Sequence, residues 1–197
     1  MITVEPSYEK ENQETFNYSC TNGYFNAIKY LLEIPNNNIN INANNDYAFC
    51  TASGNGNLKI IKYLLEEIPN NDININAHHD YSFYMGCQNG HLKIIKYLLE
   101  ISGNNININA RDDYAFCMAR KNDHIKIIKY LLEIPNNNIN INAHDDYFFY
   151  VACKNGCFNT IKYLLEIPNN ININSRDNRA FFAACSNGHL KIIKYLL

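Results

Sequence analysis

The sequence predicts an all-α fold, a solenoid of about six stacked helix–turn–helix units joined by short extended arms or hairpins. Three observations carry that prediction. The phrase IKYLLEIPNNNININA occupies residues 28–43 and returns unaltered at 128–143. Its lysine recurs at Lys29, Lys62, Lys96, Lys129, Lys162 and Lys194, with successive spacings of 33, 34, 33, 33 and 32 residues. A period of this size marks an array of small units, each packing on its neighbours, in place of one central core. Within a unit, finally, the apolar residues follow helical spacing around a glycine turn and stop at a proline.

The elements of a unit follow in order. Residues 1–12 read as a leader and 13–197 as the array, with units near 13–45, 46–79, 80–112, 113–145, 146–177 and 178–197. The first helix of the fourth unit is DYAFCMARK, with Phe116 and Ala119 three apart on one face. Asp113 is placed to cap it by accepting a bond from a first-turn amide. Then comes a turn, Asn-Gly at Asn22-Gly23, Asn55-Gly56, Asn89-Gly90, Asn155-Gly156 and Asn187-Gly188. Glycine takes the left-handed conformation that ends a helix; Asn122-Asp123 stands in its place once, at some strain. The second helix, HIKIIKYLLE, sets Ile125, Ile128, Leu131 and Leu132 on one stripe and Lys126, Lys129 and Glu133 opposite. Pro35, Pro69, Pro135 and Pro168 mark its stop, with Ser102-Gly103 substituting once. The remaining arm, NNNININANNDY, interleaves Ile with Asn at a fixed register, which argues for a structured connection over a low-complexity tract.

Composition closes several function classes. The chain is 47% hydrophobic and 18% charged with a net charge of −2, as expected of a folded, soluble protein. Lys or Glu interrupts every apolar run well before the roughly 18 residues of a membrane helix. The N-terminus, MITVEPSYEKENQE, is acidic and has no apolar signal core. Seven cysteines in such a chain point to reduced thiols and an intracellular, cytoplasmic (or nuclear) setting. A pI near 6.3 argues against a nucleic-acid partner.

Taken together, the residues resemble ankyrin repeats. NGHLKIIKYLLE at 89–100 and NGHLKIIKYLL at 187–197 are similar to the family's Gly-His-Leu opening of the second helix. NINA at 74–77, 107–110 and 140–143 is similar to its DVNA turn, and Ala52, Ala119, Ala152 and Ala184 match its small first-helix alanine. The family's Thr-Pro-Leu-His opening is replaced by Tyr-Ala-Phe-Cys, Tyr-Ser-Phe-Tyr, Tyr-Phe-Phe-Tyr or, at 179–182, Arg-Ala-Phe-Phe, and its hairpin glycine by Asn-Asp or Asp-Asp. With a composition rich in residues of A/T-rich codons, this variant is most similar to ankyrin proteins of large DNA viruses, with those of protists a close second. The resemblance implies a protein–protein interaction scaffold whose concave face, made of arm tips and first-helix surfaces, binds a partner. A spacer array without a specific partner, or the repeat part of a targeting adaptor whose recruiting motif lies elsewhere, is the alternative.

Residues suited to chemistry give way to structural readings. Cys20, Cys87, Cys153 and Cys185 share one column near the end of helix one, yet no CxxC pair exists and neighbouring units separate such a column too far for one metal. They read as packed or partly exposed free thiols. His91, His124 and His189 have no recurring nucleophile or carboxylate beside them, so they read as side chains bonding backbone at the inter-helix turn. No phosphate loop, paired-carboxylate site or zinc signature occurs, and neither an enzyme nor a cofactor is expected.

Binding residues are read from where the repeat varies. The tips change from Asn44-Asn45 to His78-His79, Arg111-Asp112, His144-Asp145 and Arg176-Asp177. The end of helix one changes likewise, through Gln88, Arg120-Lys121 and Lys154. Arg111, Arg120, Lys121 and Lys154 gather positive charge on a slightly negative chain, which suits a partner protein with an acidic patch. The last unit stays apolar through HLKIIKYLL, so its open end is expected to extend further, fray, or associate end to end with another copy.

Overall fold

A computed structural model describes residues 6–69, 71–101, 105–141, 147–167 and 175–197, with the backbone alone at 6–10, 78–79 and 175–177. Among them the structure is all-helical, without a strand, and the helices come in pairs. The pairs are α1 (Pro6–Asn22) with α2 (Phe25–Glu33), α3 (Ala43–Gly54) with α4 (Leu58–Lys62), and α5 (Ala77–Asn89) with α6 (Leu92–Glu100). There follow α7 (Ala110–Lys121) with α8 (Ile125–Glu133), α9 (Tyr147–Asn155) with α10 (Phe158–Glu166), and α11 (Ser175–Ser186) with α12 (Leu190–Leu196). A π-helical turn, Tyr63–Glu67, prolongs α4. The first helix begins at Pro6, upstream of the boundary read at Gln13.

Contacts group the chain into two compact units. One runs to Gly86 and takes in Lys93–Ile106; the other takes in Cys87–Leu92 and Asn107–Leu197. In the first, α1 lies along α3; in the second, α9 packs on α7 and α11, and α10 on α8 and α12. Five first helices, α1, α3, α5, α7 and α9, bury a phenylalanine at the same register: Phe16, Phe49, Phe83, Phe116 and Phe149. Three residues later stands a small residue, Ala52, Gly86, Ala119 or Ala152, all buried, which lets the paired helix approach. At Gly86 even a methyl would lie 2.8 Å from Ile95 Cδ1. The second helices bury Ile94, Ile95 and Leu98 in α6, and Ile127, Ile128 and Leu131 in α8. The stripe is therefore centred on Ile127, with Ile125 and Leu132 half-buried at its edges.

Five of the turns end their first helix by a six-residue bond closed through a left-handed residue, as in Asn57 N–H to Ala52 O and Cys157 N–H to Ala152 O, both 2.9 Å. The glycines there have φ between +71° and +85°. Several asparagines of the arms hold a specific bond. Asn37 Nδ2 donates to Leu32 O and Ile34 O at 3.1 and 3.0 Å, and Asn137 does the same to Leu132 O and Ile134 O at 2.9 Å. Carbonyls left open at the end of helix two are thus closed by the arm itself. Asn40 and Asn74 then turn the chain, each accepting from the backbone two residues on at 3.0 Å.

Candidate functional site

The arm tips are short left-handed turns. Asn44, Asn45 and Asp46 have φ of 53°, 54° and 61°, and Arg111, Asp112 and Asp113 have 54°, 55° and 61°. Such a conformation costs an L-residue roughly 1–2 kcal/mol, so something must hold it. The third residue does. Asp46 is buried; its Oδ1 accepts from Asn42 Nδ2 at 2.8 Å and its Oδ2 from the Asn74 amide of the next arm at 3.2 Å. Asp113 repeats the arrangement, with Asn109 Nδ2 and, at 2.9 Å, the Asn140 amide. In the first pair Gln13 serves instead, accepting from the Asn40 amide at 2.8 Å. Asp113 therefore ties successive arms, where the sequence suggested a cap on its own helix; its carboxylate is spent on Asn109 and Asn140.

That lock leaves Asn44, Asn45, Arg111 and Asp112 exposed at the tips. His144 and Asp145 lie outside the described residues, as do the side chains of His78, His79, Arg176 and Asp177. Gln88 is half-buried, and its carbonyl accepts from Asn122 Nδ2 at 3.0 Å and from the His124 ring at 2.8 Å. Arg120 differs from its sequence reading as a surface cation. It is 1% exposed, its Nη1 donates to Ile141 O at 2.7 Å, and its guanidinium lies 5.5 and 5.8 Å from the Phe116 and Phe148 rings. The reason is register: counted from the turn, Arg120 falls in the buried column of Cys20, Ser53, Cys87 and Cys153. Lys121, one residue on, is exposed, as is Lys154.

Those two lysines border a cleft of about 330 Å³ between α7 and α9. Met118, Phe148 and Val151 supply apolar lining, and Tyr114, Tyr147 and Tyr150 aromatic lining. Tyr114 and Tyr147 are 36% and 46% exposed, and Tyr47 and Tyr81 are exposed at the same register in the first unit. Sequence reasoning passed over these tyrosines as a departure in the helix opening. Their signal was available: each stands two residues before a buried Phe, which on a helix puts it roughly on the opposite side.

His124 and His189 bond backbone at the turn as read from the sequence, and the cysteines are free thiols. His124 Nε2 bonds Gln88 O at 2.8 Å and His189 Nε2 bonds Lys154 O at 2.9 Å, each reaching the backbone of the preceding turn. Asn57 does the same to Cys20 O and Thr21 O at 2.9 and 3.0 Å. All seven cysteines are free; all but Cys185 are buried. Burial pushes the Cys20, Cys117 and Cys153 thiols up to about 12 and Cys157 to about 11. Burial that keeps a thiol protonated disfavours nucleophilic chemistry at it. Among the described residues no three His, Cys, Asp or Glu side chains form a group that could hold a metal, and no helix is long and apolar enough to cross a membrane.

A family model described as ankyrin repeats (3 copies) matches residues 4–79, 83–177 and 116–197, and the chain belongs to the ankyrin repeat family. Its fold is similar to that of the human ASB11 ankyrin repeat domain, at 21% identity and a TM-score of 0.66, over 92% of this chain and 81% of that one. A second similar chain comes from the structure of the predatory endopeptidase Bd0816 from Bdellovibrio bacteriovorus in complex with immunity protein Bd3460. There the identity is 18% and the TM-score 0.58, over 92% of this chain and 96% of that one. No curated protein matches the sequence significantly. Ankyrin repeats generally mediate protein–protein interaction, and no enzymatic family is indicated.

Proposed function

We propose that this protein is an interaction scaffold that binds a partner protein through its arm tips and first-helix faces. The observation that carries the reading is the contrast between a near-invariant frame and variable, exposed positions on these elements. Asn44-Asn45 gives way to Arg111-Asp112 at exposed tips, while Asp46 and Asp113 beneath them keep the same lock. Exposed Arg111, Lys121 and Lys154 favour an acidic patch on the partner, with charges at the rim acting mainly on the association rate. An interface of ordinary size would bury about 1,600 Å² in total. Seven free thiols support a reducing, intracellular setting for the encounter. Reversing Arg111, Lys121 and Lys154 to Glu should weaken capture of the partner while leaving the far-UV spectrum and melting unchanged. Reversing exposed Lys126, on helix two, should matter much less. Equal loss from both sets would overturn the assignment.

A second contact is favoured by the apolar surface of α11 and α12, where Phe182 and Leu190 are 63% and 58% exposed. It suits self-association with another copy. Sedimentation should show concentration-dependent association that Phe182→Ser and Leu190→Ser abolish; a monomer at all concentrations would dismiss it.

A further inference from the structure

We infer that the cleft between α7 and α9 is an anchor pocket for one large apolar side chain carried on an acidic, extended segment of the partner. The inference deepens the reading above and rests on it. Size limits the occupant first. A volume of about 330 Å³ stands at the bottom of the range for ligand sites and suits a single Leu, Phe or Trp side chain rather than a cofactor. The lining then sets its chemistry: Met118, Phe148 and Val151 offer apolar atoms and an adaptable thioether, with tyrosine rings around them. Desolvated aromatic pockets of this kind are where binding energy concentrates.

Charge sets the flanks. Lys121 and Lys154 border the same cleft, both exposed, and among the described residues neither ammonium group has an ion-pair partner. They occupy one register in successive pairs, two residues before Asp123 and Gly156. Packed helices lie about 8–10 Å apart, and an extended chain covers about 3.3 Å per residue. Carboxylates roughly three positions apart, with the apolar residue between them, would reach both lysines.

The arrangement is particular to this place. At the corresponding positions α3 has Thr51 and Gly54, and α5 has Met85 and Gln88; tyrosine recurs there without lysine. Exposed tyrosines beside lysines could also stack nucleobases, but a net charge of −2 disfavours that occupant.

The test is a fluorescence-anisotropy series with labelled nonapeptides of Asp, Glu and Gly around a central Leu, Phe or Trp. Companion peptides carry Ala at the centre or Lys in the flanks, and oligothymidine serves as the nucleic-acid probe. The acidic peptides with an apolar centre should bind, and Tyr147→Ala or Lys154→Glu should weaken them about tenfold. Tyr47→Ala, in the first unit, should leave the affinity unchanged. Both tyrosines are exposed, so melting curves of the variants should match the parent. Equal binding of Leu-centred and Ala-centred peptides overturns the pocket, as does tighter binding of oligothymidine. So does no binding at about millimolar peptide. Those results would leave the broader binding face standing if partner capture still depends on Arg111, Lys121 and Lys154. Loss of that dependence would sink the broader reading itself.

Discussion

Asp123 stands where five other turns have glycine, at φ 59°, and the residues packed on it differ in step. A Cβ built on Gly90 would lie 2.8 Å from the His124 ring, and one on Gly156 2.7 Å from the His189 ring. The glycines are therefore required twice, for the left-handed turn and for the histidine that lies across it. Opposite Asp123 that histidine is replaced by Cys157, whose smaller Sγ still reaches Lys121 O at 3.3 Å. Thr160 completes the exchange: its amide and Oγ1 donate to Asp123 Oδ1 at 3.0 and 2.7 Å, so Asp123 caps α10 from the preceding turn. Restoring one half of the usual pair should then fail where restoring both succeeds. Cys157→His alone should destabilise by about 1–3 kcal/mol through overpacking on the Asp123 side chain. Asp123→Gly alone should lose about 1–2 kcal/mol with the Thr160 bonds. The double variant should be better than their sum by about 1 kcal/mol in urea melts, and additivity within about 0.5 kcal/mol would refute the coupling.

Among the elements, the second helices were the most legible in the sequence, because a 3.6-residue stripe repeats in each unit with little else competing. Leu98 is fully buried in α6. Leu98→Ala should cost roughly 2–5 kcal/mol by removing apolar contacts and leaving a cavity, read as a lower urea midpoint; a loss below about 1 kcal/mol would move Leu98 out of the core. Their outer faces carry more order than the pattern shows. Tyr97 Oη donates to Glu66 Oε1 at 2.7 Å with Lys62 Nζ 4.9 Å from its ring, and Lys129 lies 4.9 Å over Tyr163. The first helices and tips were less legible, for two physical reasons. Left-handed geometry at Arg111 and Asp112 is imposed by a carboxylate bonded to the next arm, a long-range partner that no local propensity encodes. Arg120 was misplaced because charge suggests solvent, whereas its register puts it among buried thiols. Arg120→Glu should therefore lower stability by about 3–5 kcal/mol, as expected for an unpaired buried charge. Lys121→Glu, next in the chain, should be within about 0.5 kcal/mol of the parent. Comparable melting of the two variants would contradict the burial of Arg120.

At the scale of the whole molecule, the buried thiols link the repeat to alkaline stability. Cys20, Cys117 and Cys153 belong to different helices, and burial raises each from an ordinary 9.0 to about 12. Once unfolded, these thiols lose their protons near pH 9; in the fold they keep them. Between about pH 9 and pH 12 the unfolded chain therefore binds fewer protons, and stability falls as pH rises. Below pH 9 the contribution is fully present. Tyr63, Tyr97 and Tyr163 shift in the same direction, by burial first, and add to the trend. The thiol share can be separated by chemistry and by substitution. At about pH 8 a disulfide reagent such as DTNB should modify exposed Cys185 quickly in the native protein and the other six cysteines only after denaturation. Replacing Cys20 and Cys153 by Ala should lower stability at pH 8 yet flatten its decline toward pH 11. If all seven thiols react at one rate in the native state, or the decline keeps its slope without Cys20 and Cys153, the thiols are not buried as described.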